Sequence, residues 1–205
     1  MKRLVLASGN EGKVREIRAL VSSLAIEVIP QSHYGVPEAD EPHATFLENA
    51  LAKARNACLH AGLPSIAEDS GICVDALRGG PGVHSARLGG EPRSDARNNQ
   101  RLLELLAGTA QRSAHYYCVM VLLRHAYDAQ PLVAEGEWHG EILRVPRGEG
   151  GFGYDPLFLD LQLGRTGAEL PLAEKNRVSH RGKALQALLG RLSAIVDTLP
   201  EAPAR

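Results

Sequence analysis

The stretch LVLASGNEGKVREI, Leu4 to Ile17, decides the fold class. Arg3 to Ala7 is an apolar run of the right length for one buried strand, and Val14, Ile17, Val21 and Leu24 then recur at helical spacing. Between them stands SGNEGK, Ser8 to Lys13, a strand-to-helix turn of small residues, an amide and a lysine. The N-terminus of a helix leaves backbone N–H groups without partners, and such groups bind phosphate oxygens. Gly9 and Gly12 let the backbone approach closely, Ser8 and Asn10 add polar groups, and Lys13 adds a charge to set against a polyphosphate. The stretch is not a P-loop, which has four residues between its glycines and a Ser or Thr after the lysine. Taken alone, it serves equally well as a capped turn.

Outward from this unit the pattern continues as α/β. Ile26 to Pro30 reads as a second strand. Thr45 with Glu48 three residues on forms a capping box for a helix running to Gly62. That helix carries an apolar stripe, Leu47, Leu51, Ala54, Cys58 and Ala61, widened by Phe46, Ala50 and Ala57, with Lys53 at its polar edge. Pro64 to Glu68 predicts a short strand, DSG a turn, and Ile72 to Leu77 another strand. A Gly/Pro-rich loop, Gly79 to Gly90, precedes a helix over Ser94 to Leu106.

Two long β segments follow, His115 to Arg124 and Leu132 to Val145, expected to be antiparallel neighbours. After the loop RGEGGFGYDP, Arg147 to Pro156, a last helix from His180 carries Ala184, Leu185, Leu188, Leu189, Leu192, Ile195 and Val196 on its buried side. Early strands alternate with helices and later ones do not, so the expected sheet is mixed. The 205 residues read as one domain over 1–198, with 199–205 a frayed tail.

Composition narrows the function classes. Hydrophobic content of 44% and charged content of 23% are those of an ordinary globular protein. A net charge of −1 gives no chain-wide attraction to nucleic acid or anionic membrane. The longest apolar run, Tyr116 to Leu123, is far short of the roughly 18–20 residues that span a bilayer. Cys58, Cys73 and Cys118 are odd in number and form no CxxC pair, arguing against a disulfide framework. With no signal-peptide pattern at the N-terminus, the expected compartment is the cytoplasm.

Three further constellations can carry chemistry. Glu41 precedes a helix, and Glu68 and Asp69 end a strand; Mg²⁺ takes one or two protein carboxylates and fills its other sites with water and phosphate. Acidic residues before helices also simply favour the macrodipole. In GGFGYDP, Gly150 to Pro156, glycines flank Phe152 and free its ring to stack on a nucleobase, although Phe152 could equally anchor a small core and Asp155 an Asx-type turn. In AEKNRVSHRGKAL, Ala173 to Leu185, Ser179 as N-cap would place His180 and Arg181 in the first helical turn, where cations oppose the dipole and call for an anionic or acceptor-rich ligand. Lys175 adds a cation upstream.

Together, SGNEGK, FLENALAKARNA with AEDSG, PGVHSARLGG, GGFGYDP and AEKNRVSHRGKAL resemble the inosine/xanthosine triphosphate pyrophosphatases, over Leu4 to about Leu192. The resemblance implies an elongated central mixed β-sheet flanked by helices, with two lobes around a deep cleft, the ITPase-like or Maf-like fold. It implies Mg²⁺-dependent hydrolysis of ITP, dITP and XTP to the monophosphate and pyrophosphate by a homodimer. By motif position, Ser8, Gly9, Asn10, Glu11, Gly12 and Lys13 would hold the triphosphate, and Glu41 and Asp69 the metal, with Asp69 also the proton acceptor. Lys53 and Ser70 would complete the phosphate environment. Phe152, Gly153, Tyr154, Asp155, Lys175, His180 and Arg181 would surround base and sugar. Some relatives resemble Asp-Asp at positions 68 and 69, so Glu68 is not assigned to the metal. The loop-like composition of Gly164 to Asn176 suggests a lid. Two rivals remain: a Maf-like pyrophosphatase acting on other nucleotides, and a module that binds a nucleotide without cleaving it.

Overall fold

The computed structural model describes residues 2–9, 11–21 and 26–192. Leu24, Ile195, Val196 and the tail 199–205, all interpreted above, lie outside them, as does Asn10. The elements run β1 (Lys2–Leu6), α1 (Glu11–Val21), β2 (Ile26–Pro30), α2 (Phe46–Ala61), β3 (Ser65–Val74), α3 (Asp95–Leu105), β4 (Ser113–Leu123), β5 (Leu132–Ile142), β6 (Phe158–Asp160), β7 (Arg165–Thr166), α4 (Leu172–Val178) and α5 (His180–Leu192). The seven strands form one sheet in the order β2-β1-β3-β4-β5-β6-β7. It is mixed: β1 pairs in parallel with β2 and β3, whereas β6 pairs antiparallel with β5 and β7.

The chain divides into two compact units. The first comprises the chain up to Asp69, Cys118–Gly136 and the chain from Arg181. Its core joins Leu4 and Leu6 of β1, Ile17 of α1, Ile66 of β3, Cys118, Met120 and Leu122 of β4, and Ala184, Leu185, Leu188 and Leu192 of α5. The second comprises Ser70–Tyr117 and Glu137–His180. Its core centres on Ile72, Val74, Leu102, Tyr116, Trp138, Tyr154 and Phe158.

Several boundaries match the sequence reading because the local signals are strong. Thr45 caps α2, its hydroxyl accepting from the Glu48 N–H and donating to the Glu48 carboxylate, and Gly62 closes the helix in the left-handed region at φ 63°. Ser94 caps α3, and β4 and β5 are sheet neighbours.

Three expectations are corrected. DSG, Asp69 to Gly71, is not a turn: β3 continues from Ser65 through Asp69, Ser70 and Gly71 to Val74. The turn preference of Asp-Ser-Gly yields to sheet pairing, because β3 lies between β1 and β4 and all but one of its residues is buried. The α2 stripe is also rotated: its buried residues are Asn49, Ala50, Ala54, Ala57 and Cys58, while Leu47 is exposed. Small side chains let the helix pack closely, and the Ser65 hydroxyl reaches the Ala54 carbonyl at 2.7 Å. Finally, Gly164 to Asn176 is not an open loop, since it contributes β7, a 3₁₀ turn and most of α4, with Thr166, Ala168, Leu170, Lys175 and Asn176 buried.

Candidate active site

The unbroken course of β3 determines what Glu68 and Asp69 can do. Successive side chains of a strand point to opposite faces. Ser65 and Asp69 accordingly meet α2, while Ile66 and Glu68 turn to the face carrying α1 and α5.

On the α2 side, the Lys53 ammonium stands between two carboxylates, 2.8 Å from Asp69 Oδ1 and 3.0 Å from Glu41 Oε1. Asn49, one turn before Lys53, directs its amide to Asp69 Oδ2 at 3.3 Å and accepts the His43 N–H at 3.1 Å. Burial alone would lower the Lys53 pKa, but Asp69 and then Glu41 outweigh it, and the ammonium is held above the ordinary lysine value. The structure thus brings together Lys53, Glu41 and Asp69, and adds Asn49, which the sequence reading missed. Its signal was available: an amide at i−4 from Lys53 shares the lysine's face of the helix.

On the opposite face, Glu68 is almost wholly buried and takes three polar contacts from cations. Arg181 donates through Nε at 2.7 Å and Nη2 at 3.2 Å, and Lys13 Nζ lies 2.8 Å away. Burial would raise the Glu68 pKa, yet Arg181 and Lys13 hold its carboxyl well below the usual carboxylate range. One expectation changes. The anion that compensates Arg181 at the start of α5 is the protein's own Glu68, so the adverse dipole position does not by itself demand a ligand. Lys13, near the start of α1, pairs with the residue that precedes Asp69 in β3.

The second unit holds Phe152, Tyr154, Asp155, Lys175 and His180 of the later motifs. Asp155 accepts the Phe152 N–H at 2.9 Å, the turn contact foreseen for it, and pairs with Lys175 Nζ at 2.7 Å. Gly151 adopts φ +72°, and a Cβ there would fall 2.1 Å from Asp155 Oδ2, so the loop closes over this carboxylate only with glycine. The Phe152 ring is half-buried, with the Lys175 ammonium 4.6 Å from its centroid, and is not part of the core cluster. The adjoining Gly153 is held by α3, its N–H donating to Asp95 at 2.6 Å and its carbonyl accepting from Asn99 at 2.8 Å. Tyr154 is buried and donates to the Ser85 carbonyl at 2.6 Å, which makes PGVHSARLGG a brace for this loop. The His180 ring is buried and stacks on Tyr116, with centroids 4.6 Å apart and planes at 7°.

Of the remaining predicted residues, Gly12 and Lys13 open α1, Ser8 and Gly9 lead into it, and Ser70 lies in β3 just beyond Asp69. Of Glu11 only the backbone, the first residue of α1, is described. For a divalent cation the donor set is suitable: Glu41 and Asp69 converge on one ammonium, and two carboxylates are what a nucleotide-bound Mg²⁺ takes from its protein. Among the described residues no group of three or more His, Cys, Asp or Glu side chains is assembled for a metal.

In an α/β fold, a lysine held between two carboxylates suits a class of protein that handles phosphorylated small molecules. More particularly, the Ham1 family profile matches residues 4–191, and the chain belongs to that family. It is 60% identical over 203 residues to a dITP/XTP pyrophosphatase of Nitrosomonas europaea, covering 99% of this chain and 100% of that one. A dITP/XTP pyrophosphatase of Ralstonia nicotianae is 60% identical over 195 residues, covering 94% and 97%. Among solved structures, a HAM1 protein from Coxiella burnetii superposes with a TM-score of 0.89 at 45% identity, over 95% of this chain and all of that one.

Proposed function

We propose that this protein hydrolyses deaminated purine nucleoside triphosphates, dITP, ITP and XTP, to the nucleoside monophosphate and pyrophosphate. Near full-length relatives of 60% identity are named dITP/XTP pyrophosphatases, which supports this reading. The observation in the molecule that carries the reading is Lys53 held between Glu41 and Asp69, a cation and two carboxylates in the arrangement phosphate chemistry needs.

Glu41 and Asp69 would hold Mg²⁺, which when bound supplies Lewis-acid stabilisation of phosphate charge. Asp69 accepts the proton of the attacking water, at the α-phosphorus. Lys53, Lys13, Ser70 and the polar and N–H groups of Ser8 to Lys13 bind the phosphates and stabilise charge building on the leaving pyrophosphate. In the second unit, Phe152 stacks on the base, while Gly153, Tyr154, Asp155 and Lys175 shape the base and sugar pocket. His180 and Arg181 donate toward the 6-oxo group, which hypoxanthine and xanthine have and adenine lacks. A donor facing adenine's amino group leaves both unpaired, at about 1–3 kcal/mol for each, so ATP is rejected. The two units serve as one functional domain, and the working assembly is a homodimer.

The test is pyrophosphate release from dITP, ITP, XTP, GTP, ATP and UTP with and without Mg²⁺. Deaminated purines turn over with Mg²⁺ and ATP does not; a preference for UTP overturns the substrate reading, and binding without turnover overturns catalysis. Asp69→Asn abolishes release while nucleotide still binds, and near wild-type turnover in that variant removes Asp69 from the mechanism.

A further inference from the structure

Glu68 is a buried carboxylate that the proposed chemistry leaves without a role. Its side chain is 1% exposed, and that of Arg181 is 3% exposed. Such a pair is not bought cheaply in stability, because a carboxylate and a guanidinium must both leave water. Glu68 Oε2 takes Arg181 Nε at 2.7 Å, and Oε1 takes Arg181 Nη2 at 3.2 Å. Two parallel contacts fix the plane of the guanidinium as well as its position, which a single contact would not. The same Oε1 lies 2.8 Å from Lys13 Nζ, and the Cys118 thiol faces Oε2 at 3.7 Å. One carboxylate therefore tethers an arginine from the start of α5 and a lysine from the start of α1, elements separated by most of the chain. Strand alternation delivers it there: Glu68 faces away from the α2 side that Asp69 occupies, so it is kept apart from the carboxylate pair suited to a metal.

We propose that Glu68 is a positioning residue that sets substrate selectivity: it orients the Arg181 guanidinium for the 6-oxo group of the base and holds Lys13 in register with the phosphate site. This rests on the proposed pyrophosphatase activity and deepens it. Glu68 touches no reacting atom and works through Arg181 and Lys13. Glutamine at this position keeps the shape but offers only one acceptor oxygen and no charge, and aspartate keeps the charge but is one methylene too short to hold both cations at these distances.

The experiment compares wild type with Glu68→Gln, Glu68→Asp, Arg181→Lys and the Glu68→Gln/Arg181→Lys double variant. Readouts are kcat and KM for dITP and dATP and the melting temperature of each protein. The expected result for Glu68→Gln is a KM for dITP raised about tenfold, with kcat reduced less. The ratio of kcat/KM for dITP over dATP falls by a smaller factor, about fivefold, because both nucleotides lose the Lys13 contact while only dITP loses the oriented donor. Glu68→Asp recovers less than half of the loss on a logarithmic scale. In the Arg181→Lys background the Glu68→Gln change adds little to the loss of the dITP/dATP ratio, since both variants break the same base-orienting contact, and only the Lys13 share of the KM effect remains. If Glu68→Gln only lowers the melting temperature while KM and the dITP/dATP ratio stay within twofold of wild type, Glu68 is merely structural and the inference fails. Should Glu68→Gln not fold, the same criterion applied to Glu68→Asp decides. Wild-type protein that turns over no deaminated purine would instead sink the proposed function itself, a separate outcome.

Discussion

Replacing Lys53 by methionine tests the cluster on the α2 side most directly. The ammonium forms ion pairs of 3.0 and 2.8 Å, and the side chains of Lys53, Glu41 and Asp69 are 13%, 22% and 10% exposed. Removing one partner of a buried pair costs about 3–5 kcal/mol, because the charge left behind is uncompensated. Here the cost belongs at the low end, about 3 kcal/mol, since Glu41 keeps some water and Asp69 keeps its contact with Asn49. At about 2–4 °C per kcal/mol for a chain of this size, Lys53→Met should melt about 6–12 °C below wild type in chelator and low salt. Millimolar Mg²⁺ should narrow that gap, because a cation can then occupy the place of the ammonium between the two carboxylates. Pyrophosphate release should nevertheless stay lost, since a metal ion bound by the two carboxylates does not replace the lysine charge that the proposed chemistry sets against the phosphates. The assay is a thermal melt followed by circular dichroism with and without Mg²⁺, paired with turnover of dITP. A variant melting within about 2 °C of wild type in chelator would show that the ammonium does not hold these carboxylates together, and the reasoning would fail.

Phe152→Ala should raise KM for dITP about 5- to 150-fold, the range equivalent to about 1–3 kcal/mol of base stacking, with kcat nearly unchanged. Steady-state kinetics decide, and an unchanged KM would return the ring to a local packing role beneath Lys175. Acid stability gives a further check at Asp128, whose carboxylate accepts from Arg124 Nε at 2.7 Å, Arg124 N at 3.1 Å and Gln130 N at 3.0 Å. The Arg124 side chain, first among the causes, holds the Asp128 pKa well below the usual range. A depressed folded-state pKa means that the stabilisation is complete above about pH 5 and is lost as pH falls through about 4 toward the folded value. Asp128→Asn should therefore lower the melting temperature by a few degrees at neutral pH and flatten its decline below about pH 5; parallel melting curves for the two proteins would contradict this.

Much was legible in the sequence where one local signal overrides all others. Val14 and Ile17 behind Arg3 to Ala7 made a strand followed by a helix, and Thr45 with Glu48 and Gly62 fixed both ends of α2, because caps and left-handed glycines act within a few residues. Lys53, Glu41 and Asp69 could be picked out as types suited to metal and phosphate, and the resemblance to a pyrophosphatase family rested on motifs local enough to be read from the linear chain.

Tertiary structure decided what depends on partners distant along the chain. Asp-Ser-Gly has the composition of a turn, but neighbours on both sides of β3 make it a strand, and only that extended course sends Glu68 and Asp69 to opposite faces. The Glu68–Arg181 pair spans 113 positions, a separation no periodicity can reveal. Asn49 beside Asp69, Asp95 and Asn99 against Gly153, and Tyr116 beneath His180 are likewise side-chain meetings set by packing. Local propensity selects strand, helix and cap over a few residues, whereas which charge meets which is chosen by the sheet order and by the cost of leaving any buried charge alone.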